Sequence, residues 1–281
     1  MKYEESYFNG KDGSSRFFRT WRPDGQAKAT VVICHGYAEH SGRYRELSER
    51  FVEAGFAVWA HDHYGHGRSD GPRAFIERIE LLVEDLQIAI ETVEALYDGV
   101  PIFLYGHSMG GLLSALTAAK QAKEETRLAG IIFSAPAVRI MHTSPAIVRA
   151  IAGIIRLFAP ALALIPFDID HLSHSSEVIE DYRNDPLNYT GKLKVATGLE
   201  MVEGEKMLDA ENLAGITAPS LILHGKADKN VPPFASQALY DGISSADKTL
   251  RYFEDMYHEL HNEECKEELS SLVISWLENH V

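Results

Sequence analysis

The sequence predicts an α/β fold: a mostly parallel central sheet, helices on both its faces, and a helical insertion over one end. Two observations predict it. Short apolar, β-branched runs alternate with longer amphipathic stretches along most of the 281 residues. Such alternation implies parallel βαβ units, whose crossover helices cover both faces of the sheet. The rhythm then breaks once, over 137–215, and resumes afterwards.

The elements follow in order. "TVVICHG" (30–36) reads as a strand ending in glycine, and "RYRELSERFVEAG" (43–55) as a helix with a glycine stop. "FAVWAHD" (56–62) is the next strand, and "IELLVEDLQIAIETVEALY" (79–97) is a strongly amphipathic helix. "PIFLYGHS" (101–108) is a strand, "MGGLLSALTAAKQA" (109–122) a helix and "LAGIIFSAP" (128–136) a strand. After the break come the strand "PSLILHGKAD" (219–228), the helix "PFASQALYDGI" (233–243), the strand "KTLRYFED" (248–255) and the closing helix "KEELSSLVISWLEN" (266–279). These spans divide the chain into a core of 1–136 plus 206–281 and a cap insertion of 137–205. The length suits a single α/β domain carrying an insertion.

Composition narrows the function. With 45% hydrophobic and 24% charged residues the chain can bury a core. A formal charge of -14 repels polyphosphate, which argues against nucleic acid as a partner, and it disfavours electrostatic docking on anionic lipid. Of the two cysteines, Cys34 lies in an apolar strand and Cys265 in the acidic, exposed-looking "NEECKEE". Two such thiols make no disulfide framework, so a reducing cytoplasm is the expected setting. The polar N-terminus has no apolar signal-peptide region. Residues 144–169 are apolar enough to resemble a membrane span, but Arg149, Arg156 and Pro160 interrupt them. Arg149 and Arg156 are seven residues apart and share one helical face, with Ile147, Ile151, Ile154 and Ile155 elsewhere. The expectation is an amphipathic helix followed by an apolar loop, suited to transient membrane or micelle contact and not to crossing a bilayer. Oligomeric state is not legible.

"AHDHYGHGRSDG" (60–71) holds the densest histidine cluster, His61, His63 and His66. It raises the question of a metallohydrolase of the H-x-H-x-D-H type. Gly65 stands where the metal-site aspartate belongs, and no further ligands fall at suitable spacing. The expectation is no metal, with the block acting as a tight loop whose polar side chains satisfy buried backbone groups.

Acyl-transfer chemistry points elsewhere. "YGHSMGG" (105–111) contains G-x-S-x-G through Gly106, Ser108 and Gly110. An apolar strand precedes it and a small-residue helix follows, the setting of a nucleophile elbow. The turn is so tight that a Cβ at either glycine would strike its neighbours, and the serine is held in strained backbone. A serine hydroxyl needs a general base, and the base needs an orienting acid. In α/β-hydrolases these follow in the order Ser, acid, His, on loops after late strands. Asp228 ends one late strand and His258 follows the next. Asp255 and Glu254 are rival acids, and His261 is a rival base or a pocket-wall residue. The oxyanion needs two backbone donors. Met109 follows the nucleophile, and Tyr37 lies in the early loop "HGYAEHSGRY", whose Gly36 lets backbone approach the site.

Together "HGYAEHSGRY", "DHYGHGRSDG", "GHSMGG", "SAPA", "DPLNYTGKLKV", "HGKADKNV" and "YHELHNE" resemble the monoacylglycerol lipases, a lysophospholipase-like branch of the α/β-hydrolases. The resemblance runs from about Val31 to Trp276. It implies a triad of Ser108, Asp228 and His258, oxyanion donors at Tyr37 and Met109, and no cofactor. It also implies a head-group end of the site near Glu39, Arg43, Tyr182 and His261. Glu39 and Arg43 are equally readable as a buried ion pair that shapes the loop. The implied substrate is a lipid ester, monoacylglycerol in the first place. Lysophospholipase or general carboxylesterase activity is the close alternative, and a non-catalytic protein on the same fold would be expected to lack a triad member. The cap's apolar stretch, Pro145 to Phe167, is expected to line an acyl tunnel and to favour medium or long chains. Unlike mammalian members, the chain has no cysteine in "DPLNYTG" or "HGKADKNV". Tyr37 stands where many relatives carry a smaller residue.

Overall fold

The structure, a computed structural model, describes all residues except 122–127 and 140–145, and only the backbone of 146–150. Pro145 and the side chains of Ile147 and Arg149 therefore lie outside the described residues.

Eight strands form one twisted sheet: β1 (Lys2–Asn9), β2 (Ser15–Arg22), β3 (Thr30–Cys34), β4 (Ala57–His61), β5 (Ile102–His107), β6 (Gly130–Ser134), β9 (Ser220–Gly225) and β10 (Lys248–Phe253). Their order across the sheet is β1-β2-β4-β3-β5-β6-β9-β10. From β4 to β10 every pairing is parallel, while β1–β2 and β2–β4 are antiparallel. The expected parallel core is there, with an N-terminal hairpin added at one edge.

The central strands are buried on both faces, and their side chains divide by strict alternation. Val31, Ile33, Phe103 and Tyr105 pack beneath α1 (Arg45–Glu53) and the closing helix α9 (Lys266–Glu278). Val32, Cys34, Leu104 and Phe133 pack beneath α2 (Ile79–Leu96), α3 (Met109–Gln121) and α8 (Phe234–Gly242). One residue of register slip would exchange the two faces, so burial on both sides fixes the pairing. Cys34 is fully buried, as expected. Cys265 is half-buried, not exposed: it packs at the edge of the α9 layer, and its thiol donates to the Leu260 carbonyl at 3.6 Å.

Between β6 and β9 the chain leaves the sheet. It forms α4 (Ala146–Phe158), a small ribbon of β7 (Ala163–Ile165) and β8 (Leu193–Lys194), α5 (Ser176–Asn184), α6 (Val195–Met207) and α7 (Ala210–Ala214). Here α6 packs on α2 and α3, where Gly204 sits against Ile79, Leu112 and Leu116. Arg156 anchors α4 inward, with Nη2 2.6 Å from Glu200 Oε1. Apolar side chains near the end of α4 point the other way: Leu157 and Phe158 are 78% and 85% exposed. Among the described residues no helix is long and apolar enough to cross a membrane.

Candidate active site

All the loops that carry the expected site leave the carboxyl edge of the parallel sheet, where open α/β sheets bind their ligands. The loop after β3 carries Tyr37, Glu39 and Arg43. The turn after β5 carries Ser108, and the loops after β9 and β10 carry Asp228 and His258.

Ser108 has φ 53°, in the left-handed region that a side chain enters only when its surroundings enforce it. The enforcement is visible. The Ser108 N–H donates to Ser134 O at 3.0 Å, and Ser108 O accepts from Gly111 at 2.9 Å and Ala137 at 2.9 Å. A Cβ on Gly106 would lie 2.6 Å from Gly110 O, and one on Gly110 would strike the Cys34 carbonyl oxygen. Both glycines of the motif are therefore sterically required.

The His258 Nδ1–H donates to Asp228 Oδ2 at 2.7 Å. A carboxylate can only accept, so the ring proton lies on Nδ1 and the Nε2 lone pair is left free as a base. The other carboxylate oxygen, Oδ1, accepts the N–H groups of Asn230 at 2.8 Å and Val231 at 2.9 Å, and His224 Nε2 lies 3.2 Å from Oδ2. Burial alone would raise the Asp228 carboxyl. The charge of His258 and hydrogen bonds from His224 and His258 outweigh it and hold the group well below the usual carboxylate range. Burial pulls His258 down, but Asp228 overrides this and raises it above the ordinary histidine value. The rival acids stay apart from it: Asp255 is exposed, and Glu254 pairs with Lys226 at 2.6 Å.

A single cavity is lined by Ser108, His258, Tyr37, Glu39 and Tyr182. Neither the Tyr37 nor the Met109 backbone N–H has an acceptor among the described residues. Met109 opens α3, where helix N–H groups lack intrahelical partners and the helix dipole favours negative charge.

The family model described as serine aminopeptidase, S33 matches residues 25–265. Human monoglyceride lipase is 35% identical over 253 residues, covering 90% of this chain and 82% of that one. The monoacylglycerol lipase of Mycolicibacterium smegmatis is 32% identical over 278 residues, 99% and 98% of the two chains. The crystal structure of Paleococcus ferrophilus monoacylglycerol lipase superposes with a TM-score of 0.80 at 30% identity, covering 100% of both chains. The chain belongs to the monoacylglycerol lipase family. It is a carboxylic ester hydrolase of the α/β-hydrolase fold.

In this monoacylglycerol lipase-family chain, Glu39 and Arg43 are joined to each other and to a third residue. Arg43 Nη1 lies 3.0 Å from Glu39 Oε2 and also donates to Glu259 Oε1, while Nη2 reaches Glu259 Oε2 at 2.7 Å. Glu39 Oε1 accepts from Gly36 N at 2.6 Å and Tyr44 OH at 2.8 Å. Both Glu39 oxygens are thus engaged within the protein, one of them on the Gly36 N–H of its own loop. Burial would raise the Glu259 carboxyl, and the bidentate Arg43 contact instead holds it well below its usual range. Glu259 is a residue that sequence reasoning does not single out. Its one signal is its place between His258 and His261, and nothing local reveals that Arg43, 216 positions away, is its partner.

His261 is buried and stacks on Tyr44 at 4.5 Å, and neither ring nitrogen has a hydrogen-bond partner among the described residues. Burial pushes it down to about 4, so it is neutral at physiological pH. Tyr182 is also buried, and its hydroxyl donates to Ala38 O at 2.8 Å.

The histidine-rich block serves the same loop. Asp62 accepts from the N–H groups of Ser41 and Arg68, both at 2.8 Å. The His63 N–H donates to His35 Nε2 at 3.0 Å, and His63 Nε2 reaches His35 O at 3.1 Å. Burial pushes His61 and His66 down to about 4 and holds His35 and His63 well below the ordinary value. Among the described residues no group of three or more His, Cys, Asp or Glu side chains is arranged to hold a metal ion.

Proposed function

We propose that the protein hydrolyses monoacylglycerols to fatty acid and glycerol through an acyl-enzyme on Ser108. The observation that carries the reading is the Asp228–His258 hydrogen bond at 2.7 Å, made by two late loops beside a serine held at φ 53°. His258 Nε2 takes the hydroxyl proton as Oγ bonds to the ester carbonyl carbon. The tetrahedral oxyanion is held by the Tyr37 and Met109 N–H groups. The bond to the glycerol oxygen then breaks, and His258 returns the proton to that oxygen. Water repeats the sequence on the acyl-enzyme and releases the fatty acid.

Residues 137–205 act as a lid over this site. Their exposed ridge of Ile154, Leu157 and Phe158 rests transiently on a lipid or micelle surface. Glu39 and Arg43 belong to the head-group end through the ion pair with Glu259, which holds the oxyanion loop in shape. His261 stands behind that end, buried and stacked on Tyr44, and we assign it a supporting place there.

The test is Ser108→Ala. Wild-type protein should release oleate from 1-monooleoylglycerol and gain one covalent adduct by mass spectrometry with a fluorophosphonate. The variant should do neither. A variant that is still labelled, or still turns over, would refute the nucleophile.

A further inference from the structure

The loop carrying Tyr37 turns at Ala38, whose φ of 66° lies in the left-handed region that favours glycine. Alanine has no intrinsic preference for that conformation, so something outside the loop must hold it. Two hydrogen bonds do, and both come from the segment inserted between β6 and β9. Tyr182 OH donates to Ala38 O at 2.8 Å, and Tyr189 N donates to the same oxygen at 2.9 Å. Tyr182 cannot easily swing away, since it is 1% exposed and its ring lies 4.7 Å from the Arg43 guanidinium carbon. The Tyr37 ring packs edge-on against Phe167 at 5.9 Å and Tyr189 at 6.4 Å. At the other end of the turn, Gly36 N is held by Glu39 Oε1 at 2.6 Å. Residues 36–39 are thus closed by their own Gly36–Glu39 bond, with Glu39 in turn held by Tyr44 and Arg43, and are pinned from the inserted segment at Ala38, with the Tyr37 N–H between the two.

We propose that Tyr182 is a positioning residue of the oxyanion hole. Its hydroxyl, together with the Tyr189 N–H, keeps Ala38 in the left-handed conformation and so aims the Tyr37 N–H at the developing oxyanion. The inference rests on the proposed role of Tyr37 as an oxyanion donor. It differs from the head-group contact that family resemblance implies for Tyr182, because it acts on every ester and not only on glycerol esters.

Tyr182→Phe keeps the ring over Arg43 and removes only the hydroxyl. The variant should lower kcat about tenfold, part of the 10²–10³ lost when an oxyanion donor is removed outright. The loss should be equal on 1-monooleoylglycerol and on p-nitrophenyl butyrate, which has no glycerol, with KM little changed. Inhibition by a trifluoromethyl ketone, which forms an oxyanion on the nucleophile, should weaken by the same factor. Ala38→Gly in the Tyr182→Phe background should restore part of kcat, because glycine adopts this φ without strain. A loss confined to monooleoylglycerol would overturn the proposal in favour of direct head-group contact. An equal loss with ketone affinity retained and no rescue by glycine would overturn it in favour of a packing role. The Ser108→Ala control separates the two levels: if it still turns over and binds the ketone like wild type, the underlying catalytic reading fails, whatever Tyr182→Phe does.

Discussion

At the level of single residues, the parts of the site that were legible are those imposed by local sterics and chain order. Gly106 and Gly110 announce the elbow because no other residue fits there, and Asp228 and His258 announce themselves by following late strands. The residues that were not legible act through tertiary contacts. Glu259 is a charge whose value depends on a distant arginine. Ala38 carries no sign in the sequence that it adopts φ 66°, a conformation costing an alanine on the order of 1–2 kcal/mol. The electrostatics of the Asp228–His258 pair carry a prediction. Asp228 raises His258, and the base works only when neutral, so the rate should rise with pH through that raised value. Asp228→Asn removes the charge. The acidic limb of the kcat/KM profile should move to lower pH, and the plateau should fall by roughly 10³–10⁴-fold, as in other triads. An unmoved limb with near wild-type activity would mean that Asp228 does not orient the base.

At the level of elements, the buried strands and amphipathic helices were readable because their period matches their burial. The β1–β2 hairpin was not. Every residue of β1 is at least partly exposed, so its sequence carries no apolar run to betray a strand. The expected helix over 43–55 opens instead as a 3-10 turn, Ser41–Tyr44, before α1 begins at Arg45. The amphipathic character of α4 was legible, but the direction of its faces was not. Arg156 turns inward to Glu200 while Leu157 and Phe158 face solvent. The Glu200 carboxylate on α6 and the Glu77 carbonyl, both distant in sequence, hold the arginine there. If the ridge seats on lipid, each large apolar side chain is worth about 1.5–3 kcal/mol when buried there. The double substitution Leu157→Ser with Phe158→Ser should lower hydrolysis of monooleoylglycerol in neutral phosphatidylcholine vesicles at least tenfold. Turnover of dissolved p-nitrophenyl butyrate should stay within about twofold of wild type. Equal activity on vesicles would show that the ridge does not touch lipid.

At the level of the whole molecule, the parallel sheet brings residues 37, 108, 228 and 258 to one edge, which no local pattern contains. Chain order in βαβ units does contain it, and that is why the architecture could be anticipated. The histidine-rich block shows the converse: its density marks a packed loop beside the Tyr37 segment, where His63 and His35 bond to each other through ring and backbone groups. The central claim is that this acidic α/β-hydrolase is built for single-chain lipid esters. The most direct measurement is kcat/KM across 1-monoacylglycerols from acetyl to oleoyl, with dioleoylglycerol, trioleoylglycerol and lysophosphatidylcholine in the same assay. Each methylene buried in an apolar pocket is worth about 0.8 kcal/mol, so kcat/KM should climb beyond butyryl. Monooleoylglycerol should exceed the di- and triacyl esters and lysophosphatidylcholine. A steep fall from acetyl onward, or a preference for triacylglycerol or lysophosphatidylcholine, would contradict the account.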